Sequence, residues 1–104
     1  MIEKITDTLE RLNTHFRNTN PDMTEKERLF SRVVKLNEEV GELCEAILSE
    51  NDSNQRVKEK IMNVDAELAD VLICTLLLAQ DREKDVWKEV DLKLQKISQK
   101  FNLE

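Results

Sequence analysis

Gly41 and Pro21 are the only glycine and the only proline in 104 residues. Sheet-rich folds need many tight turns, and tight turns draw on those two residue types. Long helices do not, so the expected class is all-α. The length fits one domain spanning residues 1–104.

Hydrophobic periodicity predicts four helices. Ile2, Ile5, Leu9, Leu12 and Phe16 recur at steps of three and four, the pattern of one helical face. Asn18-Thr19-Asn20-Pro21 ends that helix as a turn-forming cluster. Thr24 and Glu27 have the spacing of a capping box, so a second helix starts there. Its apolar stripe is Leu29, Val33, Leu36, Val40, Leu43 and Ile47, and it runs out at Ser49–Asn54. A third helix is expected over about Val57 to Gln80, followed by a short charged connection at Asp81–Lys84. Asp85 caps a fourth, which carries Trp87, Val90, Leu94, Ile97 and Phe101 on one face, with Trp87 as its anchor. The architecture is a four-helix, bundle-like domain. A chain this small leaves much apolar surface uncovered, which favours an oligomer.

Charge narrows the partners. Sixteen basic and 22 acidic side chains leave a net charge of −6, which argues against binding a nucleic acid polymer. A nucleotide substrate is still open, because a bound divalent metal reverses the local sign. Cys44 and Cys74 both fall in apolar helical stretches and read as buried free thiols of a reducing compartment. No signal-peptide core opens the chain, and the uncharged apolar run Val71–Ala79 is too short to cross a bilayer. A cytoplasmic protein with no membrane contact is expected.

The most informative stretch is Ala66–Ala79, in which 11 of 14 residues are apolar. They surround the helix on every side, so it reads as central and buried. Its two charges, Glu67 and Asp70, are three apart and share one face. Like charges are costly to bury without compensation. The second helix offers a matching set in Glu38, Glu39, Glu42 and Glu45, on the side opposite its apolar stripe. Such a stripe is ordinarily just solvated. Against that, few basic side chains lie among these acids. Gly41, inside the cluster, also costs about 1 kcal/mol relative to alanine in a helix unless something must come close. Two helices packed antiparallel would bring both acidic sets around one site. Oxygen-only ligands suit Mg²⁺ or Mn²⁺. His15 is the only histidine and reads as a surface residue.

Glu38-Glu39-Val40-Gly41-Glu42, then 24 residues, then Glu67-Leu68-Ala69-Asp70 resembles the EExxE…ExxD signature of the MazG-like all-α nucleoside triphosphate pyrophosphohydrolases. Arg11–Phe16 and Lys93 resemble segments of the related dCTP pyrophosphatases. The resemblance implies an enzyme that cuts a ribo- or deoxyribonucleoside triphosphate into monophosphate and pyrophosphate, in nucleotide-pool housecleaning. It implies Glu39, Glu42, Glu67 and Asp70 as metal ligands, and Glu38 as a group that helps bind a second metal or that orients or deprotonates the attacking water. It also implies a homodimer or homotetramer.

Lys93 and Lys100 share a face of the last helix and are candidate phosphate contacts, or plain surface lysines. Phe16 and Phe30 are candidates for stacking on a base, or core aromatics. Relatives often carry a tryptophan after the first helix and an asparagine and arginine after the last-helix lysine. Here Asn18–Pro21, Ser98 and Lys100 stand in those regions. Two other readings remain open on the residues: a non-enzymatic helical interaction module, and a relative acting on phosphoribosyl-ATP.

Overall fold

A computed structural model describes residues 1–51 and 63–103. Four helices follow in order: α1 (Ile2–Thr19), α2 (Glu25–Asn51), α3 (Val64–Asp81) and α4 (Val86–Phe101), and no strand occurs among the described residues. The all-α expectation is met.

Local chemistry sets the helix ends. The Thr24 N–H donates to Glu27 Oε1 at 3.0 Å and the Glu27 N–H to Thr24 Oγ1 at 3.1 Å, the reciprocal capping box read from the sequence. Hydrogen bonds from the Thr24 backbone and side chain hold the Glu27 carboxyl below its usual value. Asp85 caps α4 by accepting from the Lys88 N–H at 3.2 Å. α3 starts later than expected, because Asn63 accepts from the Ala66 N–H at 3.1 Å and caps it there. The residues 57–62 expected to open this helix lie outside the described residues, as do residues 52–54 of the run-out after α2. At the end of α3, Glu83 adopts a left-handed backbone (φ 56) while the Lys84 N–H reaches back to the Ala79 carbonyl at 3.1 Å. That closure turns the chain into α4 within four residues.

α3 is the element against which α1 and α2 pack. The small apolar core joins Leu9 of α1 to Leu76 and Leu77 of α3, with Leu12, Phe16 and Val86 against it. α2 and α3 run antiparallel: Arg32 meets Asp81 at one end, and Glu39 meets Glu67 and Asp70 further along.

Three expectations are corrected here. Only part of the stripe Leu29–Ile47 faces inward: Leu29, Leu36 and Leu43 are half-buried, Val33, Val40 and Ile47 are exposed, and Glu39 and Ala46 are buried beside them. α3 is not enclosed, since Leu68, Leu72 and Ile73 are exposed. α4 buries no residue, and Trp87 borders an open cleft instead of anchoring the helix; Val86 makes the core contact. The cause is common to all three: one copy of a 104-residue chain offers too few elements to cover every apolar stripe. Its radius of gyration of 17.1 Å fits that openness, against about 13 Å for a compact domain of this size.

Candidate metal centre

The inward turn of the acidic side of α2 builds the site. Glu39 is 6% exposed and faces α3, where Glu67 is half-buried and Asp70 exposed. One oxygen from each of the three lies within 4.8 Å of the others. Glu67 and Asp70 are one helical turn apart, so a single approach of α2 serves both. Glu39 Oε1 takes an ion pair from Lys35 Nζ at 3.1 Å. Glu39 Oε2 is buried and has no hydrogen-bond partner among the described residues. A buried carboxylate oxygen with nothing to accept from is costly. Such an oxygen could ligate a cation. Three carboxylates from two rigid helices fit a hard divalent ion.

The other acids of α2 are placed differently. Glu42 is half-buried one turn beyond Glu39 and outside the three-residue cluster. Glu38 is exposed, with its carboxylate 3.7 Å from the Lys35 ammonium. Glu45 is exposed. Among the described residues nothing lies within 4 Å of where a Cβ at Gly41 would sit, so no close approach there accounts for that glycine.

A cavity of about 250 Å³ opens beside the cluster, lined by Phe16, Arg32, Lys35, Glu39, Asp70 and Cys74 together with apolar side chains of α1 and α3. Phe16 therefore shares a cavity with two of the acids. The Arg32 guanidinium stacks over its ring at 5.3 Å. Burial, with Glu39 nearby, pushes the Cys74 thiol above its ordinary value. Cys44 is exposed, against the expectation of a buried thiol. Lys93 and Lys100 are exposed on α4 and line no part of this cavity; Lys100 lies over its own neighbour Phe101 at 5.4 Å. Phe30 is 60% exposed beneath Lys26; it is not core and does not line this cavity. His15 is at the surface, as read.

A second charged knot, not anticipated from sequence, lies at the far end of the α2–α3 pair. The Asp81 side chain is fully buried. It accepts from Arg32 Nε at 2.6 Å and from Arg17 at 3.1 Å, and Arg32 also donates to Asn13 Oδ1 at 2.9 Å. Burial alone would raise the Asp81 carboxyl; the bonds from Arg32, Asn13 and Arg17 outweigh it and hold the group below its ordinary value. A signal existed. Leu9 and Asn13, and Leu77 and Asp81, are each four apart, so the polar residue continues a buried stripe.

The family model of the MazG nucleotide pyrophosphohydrolase domain matches residues 30–102. No curated protein and no solved structure matches the chain.

Proposed function

This chain belongs to the MazG nucleotide pyrophosphohydrolase family, and on that premise we propose that it hydrolyses ribo- or deoxyribonucleoside triphosphates to monophosphate and pyrophosphate with Mg²⁺ or Mn²⁺. The observation that carries the reading is the convergence of Glu39, Glu67 and Asp70, with a buried oxygen on Glu39 that has no partner among the described residues. A divalent ion bound there supplies charge neutralisation at the phosphates and a more acidic water.

Each residue has its part in this reading. Glu39, Glu67 and Asp70 hold the ion, and Glu42 joins them by a rotamer change across one turn of α2. Glu38 orients or deprotonates the attacking water from the exposed edge of the cluster. Phe16 offers a ring face to the base; its place in the cavity beside Glu39 and Asp70 supports that role. Lys93 and Lys100 contact phosphate from α4. They do not line the cavity beside Glu39 and Asp70, so their role goes with an α4 supplied by a second copy.

The assembly proposed is a homodimer or homotetramer. Its support is the exposed apolar surface of Val33, Val34, Val40, Ile47 and Leu48 on α2 and Leu68 and Leu72 on α3. Sedimentation across protein concentrations should give the dimer or tetramer; a concentration-independent monomer would contradict it. The expected setting is cytoplasmic nucleotide-pool housecleaning. No described helix is long and apolar enough to cross a membrane.

The test is pyrophosphate release from a panel of ribo- and deoxyribonucleoside triphosphates and phosphoribosyl-ATP, with Mg²⁺ and with EDTA. Equal amounts of monophosphate and pyrophosphate, lost with EDTA and restored by Mg²⁺ or Mn²⁺, are expected. Full activity without metal, or release of diphosphate and free phosphate, would defeat the reading.

A further inference from the structure

Lys35 forms ion pairs with acids at the candidate metal centre. It sits one turn before Glu39 on α2, with its ammonium 3.1 Å from Glu39 Oε1 and 3.7 Å from Glu38 Oε2. Its side chain is 60% exposed, so it is free to move. It also lines the cavity that holds Glu39, Asp70 and Phe16. The arrangement is asymmetric. Glu39 meets Lys35 through one oxygen, while its other oxygen is buried and has no partner among the described residues.

We propose that Lys35 is a displaceable counterion: it neutralises Glu39 in the metal-free protein, yields to the divalent cation, and then binds a phosphate oxygen of the nucleotide in the same cavity. The inference rests on the metal reading above. Two physical points carry it. An ammonium and a divalent cation cannot both sit at one carboxylate without repulsion. Lysine, a compact charge on a four-carbon flexible stem, turns to a new partner without moving the backbone. The cavity's remaining fixed cation, Arg32, is already committed to Asp81 and Asn13. Lys35 is then the mobile positive charge at the acidic end.

The hypothesis makes two effects of opposite sign, which a merely structural lysine would not produce. In Lys35→Gln, Mn²⁺ alone should bind about three- to tenfold tighter, because a competing positive charge is gone. The KM for the metal–nucleotide should rise roughly tenfold, because a charge-assisted contact is lost, with kcat within about twofold. Lys35→Arg should restore the nucleotide KM. Lys26→Gln removes the same charge from the exposed start of α2 and should move neither quantity.

The experiment is titration calorimetry of Mn²⁺ into EDTA-stripped full-length protein, followed by steady-state kinetics on the same variants. Unchanged or weaker Mn²⁺ binding in Lys35→Gln overturns the counterion role. Tighter Mn²⁺ binding with an unchanged KM overturns the phosphate contact. Equal effects from Lys26→Gln reduce both to the general field of the protein and overturn the inference. Wild-type protein that binds no Mn²⁺ would instead overturn the metal reading, and this inference with it.

Discussion

The antiparallel pair α2–α3 carries buried acid at both ends, and the two ends are built in opposite ways. At one end Asp81 is sealed from water and gripped by Arg17 and Arg32, with Asn13 completing the set. At the other, Glu39 is nearly as buried, yet among the described residues only one of its oxygens has a partner, and that partner is an exposed lysine. A carboxylate satisfied by fixed guanidinium groups is a structural tie. A carboxylate left half-satisfied beside two more acids supports the proposed cation site. Burial alone does not tell the two apart; the identity and rigidity of the partners do.

The sharpest way to break the comparison is to neutralise one acid at each end. Asp70→Asn should reduce hydrolysis about a thousandfold, roughly 4 kcal/mol of barrier, while the metal-free melting temperature stays level or rises. No partner binds Asp70 among the described residues, and one repelling charge is removed. Retained hydrolysis with a large loss of metal-free stability would reverse the roles assigned to the two ends.

Asp81→Asn should do the opposite. It strands Arg17 and Arg32 around a neutral amide, at a cost of about 3 kcal/mol, the low end for a broken buried pair because both arginines keep some water. For a domain of this size that is a fall of order 15 °C in melting temperature. Below the new midpoint the variant should still hydrolyse nucleotide. A thermal melt within a degree or two of wild type would show that the tie carries little.

Metal addition sharpens the contrast further. At a hundredfold over its Kd, Mg²⁺ should stabilise the wild type by about 2.7 kcal/mol. Asp81→Asn should keep that increment and Asp70→Asn should lose it, in melts compared at one protein concentration. An equal increment in both variants would place the ion elsewhere.

The smallest effect is on acid stability. The Asp81 carboxyl is held below its ordinary value in the folded state. Its contribution is therefore complete above the unfolded value, near 4, and is lost as pH falls through the lower folded value. Wild-type stability should drop more steeply than that of Asp81→Asn in this acid range, in urea titrations at stepped pH. Parallel curves would remove Asp81 from the acid sensitivity of the fold.

Much of this architecture is legible along the chain because it is written within one or two turns. The scarcity of glycine and proline gives the class. The Thr24–Glu27 box and Asp85 give two helix starts, and the spacing of Glu67 and Asp70 puts them on one face. These are local interactions whose partners are three or four residues apart, so the sequence alone determines them. Which side of α2 turns inward is a different kind of fact. Its apolar stripe and its acidic stripe are both legible, and burying the apolar one is the natural expectation. The tertiary structure turns Glu39 and Ala46 toward α3 and leaves Val33, Val40 and Ile47 outside. The energy of that choice depends on groups from elsewhere in the chain. Arg32 is drawn to Asp81, 49 residues away, and Arg17 of α1 joins the same carboxylate. Helical periodicity says which residues share a face, but what lies opposite that face is decided only when the helices meet.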